Sequence, residues 1–250
     1  MKRLMFAAAL VLAASAVQAR SSVEMCGIES QYDVSLDSNR LLFEKTGQQP
    51  AKVEMRRGRL FVDGREMALS ERDTERVAKY EATVRALVPQ AKAIARDATE
   101  IAFAAVTEVV AAFVGDAKAS ATRARLGDVQ RGLLDRIDAS FYQRPWHEDE
   151  FDDVVESAVK ELMPVILAEV AGTAVTIALS GDEAASKALE ARTANLEKDI
   201  ERRIDTQTRQ LAARAATLCP MIAELGAIEL SMDLKLDGGG RLKLIELEKN

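Results

Sequence analysis

The strongest constraint on the fold is a run of apolar residues that begins at Val77. Val77, Tyr80, Val84, Leu87, Ala91, Ile94, Ala98, Ile101 and Ala105 recur at alternating intervals of three and four. A helix places residues so spaced on one side, as a heptad-type seam. Glu75–Lys79 and Glu81–Arg85 stand at i,i+4 outside the seam, where each pair adds a few tenths of a kcal/mol. Ser70-Glu71-Arg72-Asp73 resembles a capping box, with Asp in place of the usual Glu or Gln. The pattern predicts a helix from Ser70 to Val114, stopped by Gly115 and kinked at Pro89.

More helix follows. Asp116 can cap a segment striped by Leu126, Val129, Leu133, Ile137 and Phe141, with Gly127 and Gly132 weakening its middle. A loop with Tyr142, Pro145, Trp146 and His147 ends it. Glu148, Asp149 and Glu150 then supply negative charge where a helix macrodipole favours it. That third helix carries Phe151, Val154, Val155, Ala158, Leu162, Ile166, Val170, Thr173 and Ile177, and Pro164 is expected to bend or break it. Ser180-Gly181-Asp182 separates it from a last long helix striped by Leu189, Leu196, Ile200, Ile204, Leu211 and Leu218.

The two ends of the chain read as β structure. Arg40 to Lys45, Lys52 to Arg56, Arg59 to Val62 and Arg65 to Leu69 are strand candidates. Arg57-Gly58 offers a turn, and Asp63-Gly64 is a strong hairpin signal because both residues tolerate positive φ. Near the other end, Ile228, Leu230, Met232, Leu234 and Leu236 alternate. Asp237-Gly238-Gly239-Gly240 is a turn, and Leu242, Leu244, Ile245 and Leu247 continue as a strand. A lone hairpin is marginal in water, so this one should join the N-terminal meander. The expected fold class is α+β: mainly long α-helices in a bundle, with a small antiparallel sheet formed by the N-terminal meander and the C-terminal hairpin. Residues 20–250 are treated as one domain.

Residues 1–19 read as an address rather than fold. Lys2 and Arg3 precede an uncharged apolar run, Phe6 to Ala14, which is too short to span a bilayer. Val17-Gln18-Ala19 places small residues where a signal peptidase reads them, so cleavage is expected after Ala19. An uncleaved N-terminal anchor is the alternative. Cys26 is too far along for lipidation. Outside the cytosol, the two cysteines, Cys26 and Cys219, read as one intramolecular disulfide, with free thiols or an intermolecular bridge as the alternatives.

Charge and composition exclude several functions. Among 250 residues there are 34 Lys and Arg against 40 Asp and Glu, a net charge of -6, which becomes -8 once residues 1–19 are removed. An acidic chain lacks the footprint expected of polyphosphate or nucleic-acid binding. With one Trp, one His and 4% aromatic residues, neither a multi-histidine metal centre nor a base-stacking module is available. Glu108 and Glu169 stand alone in the apolar stretches Ile101 to Val114 and Leu162 to Leu179. Buried, either could serve as a general acid; the blander expectation is a hydrogen-bonded or partly exposed glutamate. The stretches themselves read as a packed bundle centre, with membrane insertion the sharper alternative.

His147, Glu148, Asp149, Glu150, Asp152 and Asp153 suggest a divalent cation but match no EF-hand order, so a solvated helix start is expected. Asp237-Gly238-Gly239-Gly240-Arg241 lacks dinucleotide spacing and follows no βαβ pattern. Trp146, beside Tyr142 and Pro145, is either a binding lip or a core cap. No catalytic, cofactor or metal residue is therefore assigned, and no cofactor is expected.

Val62-Asp63-Gly64-Arg65-Glu66-Met67-Ala68-Leu69-Ser70, then Ala78-Lys79-Tyr80-Glu81 and Leu87-Val88-Pro89, resemble the YggN-like family of proteobacterial secreted proteins. The placement of Cys26 and Cys219 fits the same pattern. The resemblance implies a periplasmic location and supplies no catalytic residue, because the family is a domain of unknown function. Two functions lead. One is a non-enzymatic envelope protein that binds or chaperones another protein through a helical surface or sheet edge. The other is a carrier of an apolar ligand or a membrane-surface factor, associated with the membrane but not integral to it. Nucleic acid is not an expected partner, and the oligomeric state is not legible.

Overall fold

The computed structural model describes residues 26, 28–47, 49–114, 120–143, 145–146, 150–232, 234, 236 and 240–247. The expected signal peptide, residues 1–19, lies outside them. The protein is α+β, as expected. Its contacts form two compact units. The first is drawn from residues 1–94, 138–150 and 212–250, the second from 95–137 and 151–211. Residues 20–250 read as one domain from the sequence; both chain ends do meet, in the first unit.

The first unit is built on a five-stranded antiparallel meander. Its strands are β2 (Asp33–Leu36), β3 (Leu41–Glu44), β4 (Lys52–Arg56), β5 (Arg59–Val62) and β6 (Arg65–Glu66), in sequence order. β1 (Ile28–Glu29) pairs separately with β7 (Glu246–Leu247), Ile28 opposite Leu247. Register aligns the apolar side chains: Leu41 faces Met55, Phe43 faces Val53, Val53 faces Val62 and Met55 faces Leu60. All six are buried on one face of the sheet. Arg57-Gly58 joins β4 to β5 and Asp63-Gly64 joins β5 to β6. All four φ angles are positive, at 50°, 79°, 48° and 79° in chain order, the signature of two-residue type I′ turns. Gly58 has a second reason to lack a side chain, since a Cβ there would lie 3.1 Å from the Thr74 carbonyl oxygen.

Helix α1 (Glu71–Val114) has the predicted bounds. The Ser70 hydroxyl accepts the Asp73 N–H at 3.1 Å, the forward half of a capping box, and donates to the Asp73 carboxylate at 2.7 Å. The helix continues through Pro89. Its buried side chains depart from the strict heptad after Val84: Val88, Phe103 and Val110 are buried, whereas Ile101 is only half-buried. A straight helix has 3.6 residues per turn, so its inward face drifts off a 3.5-residue repeat.

The second unit is helical. α1 contributes Phe103 and Val110 to its core, α2 (Ser120–Ala139) contributes Leu126, Leu133 and Ile137, and α3 (Glu150–Ser180) contributes Leu162 and Ile166. Of the two outcomes expected at Pro164, a bend or a break, the break does not occur: α3 continues through it. Gly181 takes φ 65°, and the Asp182 carboxylate caps α4 (Glu183–Ala216) by accepting the Ala185 N–H at 2.9 Å. Gly115 and Asp116 lie outside the described residues.

The C-terminal hairpin is corrected. Residues expected to begin a strand at Ile228 belong to helix α5 (Cys219–Ser231). Ile222, Leu225, Ile228 and Glu229 are buried at helical spacing, and Leu230 is left in solvent. Ala, Glu and Leu are good helix formers, and five alternating residues do not outvote them. Beyond the helix, Leu234, Leu242, Leu244 and Ile245 are buried in the first core, and the Leu236 N–H donates to the Gly240 carbonyl. The C-terminal segment therefore covers the core, as expected, but adds no strand to the five-stranded sheet.

Candidate functional site

Cys26 and Cys219 are joined in a disulfide with their Cα atoms 5.1 Å apart across 193 positions of sequence. The bond ties the start of the described chain to the first residue of α5. It brings together the two ends that β1 and β7 also pair.

The sequence-derived candidates mostly part company. His147, Glu148 and Asp149 lie outside the described residues, as do the side chains of Glu150, Asp152 and Glu169; Asp153 is exposed. Glu108 is half-buried and ion-paired with Arg203, the blander of its two expected settings. Trp146 bonds with Val34 through both backbone groups, N–H to carbonyl at 2.7 and 2.9 Å, extending the β2 edge. Its ring stacks on Phe141 at 5.2 Å. Phe141 in turn packs against the first core. Tyr142 is exposed beneath the Lys92 ammonium, which itself donates to the Asp138 and Ser140 carbonyls at the end of α2. Asp237, Gly238 and Gly239 lie outside the described residues.

The sequence reading missed a buried acid. Glu229 is 9% exposed and accepts the Ile245 N–H on Oε2 at 3.3 Å. Burial pushes its carboxyl up to about 7, against the lowering effect of the Leu244 and Ile245 N–H groups and Lys243; Glu246 adds to the rise. Tyr80 on α1 is fully buried, and its hydroxyl has no hydrogen-bond partner among the described residues. Burial, and then the charge of Glu229, hold that phenol well above its ordinary range. Tyr32 is pushed up to about 12 by burial, then by Asp63 and Glu229. Tyr32, Phe43 and Tyr80 form an edge-to-face chain with successive centroids 6.2 Å apart. Glu229 was masked by the strand reading; the helical spacing of Ile222, Leu225, Ile228 and Met232 was the signal that could have found it.

Among the described residues, the largest group of exposed apolar side chains lies on α3. Leu162 and Ile166 turn into the second core, while Val159, Leu167, Val175 and Leu179 are 46, 54, 55 and 83% exposed. At about 100° per residue, Leu167, Val175 and Leu179 fall within about 120° of one another and form a ridge along about 18 Å of helix, whereas Val159 stands about 200° round the helix from Leu179. Lone exposed apolar residues are ordinary; an aligned set marks an interaction surface. Among the described residues one helical stretch, Arg202–Ser231, is long and apolar enough to cross a bilayer by length and composition. Its Ala215, Leu218, Ile222, Leu225 and Ile228 are buried.

These features describe a disulfide-linked α+β protein with an apolar helical ridge. The chain belongs to the family described as a protein of unknown function (DUF2884), whose pattern it matches over residues 26–245. No curated protein and no solved structure matches it.

Proposed function

We propose that the protein is an exported, periplasmic, non-enzymatic binding protein that holds another envelope protein on the α3 ridge in a chaperone-like manner. The ridge carries this reading. A folded chain gains by burying large aliphatic side chains, about 1.5–3 kcal/mol each, and Leu167, Val175 and Leu179 on one side of α3 are left in water. Export is supported by the charged start and the Val17-Gln18-Ala19 site, and by the disulfide, which is compatible with an oxidising compartment. The narrower likeness to the YggN-like proteobacterial family supports the same address. Helix-in-groove recognition uses ridges of this type.

The test is a photoreactive residue at Leu167 or Val175, activated in intact cells. Both positions should give one and the same protein adduct, lost when Leu179 is changed to Asp, whereas position 183 gives none. Absence of an adduct at 167 and 175, or an adduct only with a second copy of the chain, contradicts the proposal.

A further inference from the structure

The first unit carries a second feature, independent of the ridge. A cleft of about 710 Å³ opens between the Asp37–Arg40 turn and the β4–β5 turn, and its lining includes Arg40, Arg56, Arg57 and Arg59 against one carboxylate, Asp37. The whole-chain charge of -6 conceals this local basic cluster. Arg56 and Arg59 stand directly opposite each other in register, and both guanidinium groups lie over the Phe61 ring, at 5.4 and 5.1 Å. Each of the two opposed charges has one carboxylate beside it, Glu54 and Glu66, and the Phe61 face holds both guanidinium planes together.

The cations are held but not saturated. Arg40 pairs with Asp37, Arg56 with Glu54 and Arg59 with Glu66, and all three arginines are close to half-exposed. The Arg40 and Arg59 pairs, exposed on both sides, contribute roughly 0–1 kcal/mol and can be exchanged for a better anion, whereas the buried Glu54 keeps Arg56 in place. The Arg57 guanidinium bonds a neutral acceptor, Asn39 Oδ1, at 3.2 Å across the cleft. Arg57 also sits at φ 50°, where a side chain other than Asn or Asp costs about 1–2 kcal/mol.

Both walls are fixed from behind by α1. Glu81 accepts the Arg57 N–H at 2.9 Å and the Arg85 guanidinium at 2.7 and 3.1 Å, and Arg85 donates in turn to the Asp37 carbonyl. A buried carboxylate thus sets the position of each turn, which is the support a preorganised binding site requires.

We propose that this cleft binds a phosphate ester, carried by a small soluble molecule or by a lipid headgroup. A tetrahedral phosphate offers several oxygens to converging guanidinium forks, whereas one fork satisfies a carboxylate. The Ser38 hydroxyl and Asn39 amide line the same space.

The test uses the full mature chain titrated with glycerol 1-phosphate, and sedimented with phosphatidylcholine vesicles with and without phosphatidylglycerol. Arg57→Asn is the informative variant, because Asn-Gly is the preferred type I′ pair and the fold gains from it. Binding should appear in at least one arm, weaken with salt, and fall tenfold or more in Arg57→Asn and in Arg40→Gln, while Lys187→Gln binds as the parent does. Binding of glycerol phosphate assigns a soluble ester; binding of anionic vesicles alone assigns a headgroup. No binding in either arm, undiminished binding by Arg57→Asn, or equal displacement by acetate at the same ionic strength overturns the proposal.

Discussion

Reducing the Cys26–Cys219 bond lowers the unfolding midpoint by roughly 10 °C. The bond spans 193 residues. Opening a loop of that size returns at most about 5 kcal/mol of chain entropy to the unfolded state, and about 2–4 °C of midpoint follows each kcal/mol in a chain of this length. The effect should be large because the bond acts on the unfolded chain, whose closed loop is long; in the folded state the ends are also tied by the short β1–β7 pairing and by the buried C-terminal segment. Thermal unfolding with and without reductant, alongside the Cys26→Ser/Cys219→Ser double variant, checks this. A midpoint shifted by less than 2 °C in both would mean that burial of Leu234, Leu242 and Leu244 holds the C-terminal segment without the bond.

Stability falls as pH rises from about 4.5 to 7, and Glu229→Gln removes that fall. The Glu229 carboxyl has an ordinary value of 4.5 and a folded value of about 7. Between them the folded state holds more protons than the unfolded state, so unfolding becomes easier with rising pH. Below the lower value both states are protonated and the difference vanishes. Above the upper one the cost of ionising the buried acid is complete, on the order of 3 kcal/mol. Tyr80 and Tyr32 stay neutral across this window and Lys243 offsets part of the cost, while Glu246 adds to it. Gln keeps an oxygen for the Ile245 N–H. Urea unfolding of parent and variant should coincide at pH 4 and separate by pH 8, the variant being more stable. Parallel curves across the range would show that Glu229 is not the titrating group.

Much of this fold was legible because two periodicities are clean. The β4 and β5 strands and their I′ turns follow from alternation and from Arg-Gly and Asp-Gly pairs, whose backbone requirement is local. Helix α1 follows from its seam and from Ser70, which caps by reaching three residues ahead. The errors arose where local pattern was silent about partners. Ile228 to Leu236 alternates, yet the core that Ile222, Leu225 and Ile228 enter selects a helix, and this conceals the buried Glu229. Pro164 leaves α3 continuous because tertiary packing of Leu162 and Ile166 on either side overrides a local cost. The Trp146 bridge to Val34 and the arginine cleft join segments far apart in sequence, so no spacing could reveal them.

The central claim is that the protein acts by holding a partner and that no single residue carries a reaction. Complementation of a strain lacking the gene, with variants at matched protein levels, tests it most directly. Glu108→Gln, Glu169→Gln and His147→Ala should restore the parent phenotype, and Leu167→Asp combined with Val175→Asp, on the exposed face of α3, should not. A folded Glu108→Gln or His147→Ala protein that loses all function, beside a fully active ridge variant, would contradict the binding account and place the protein among enzymes.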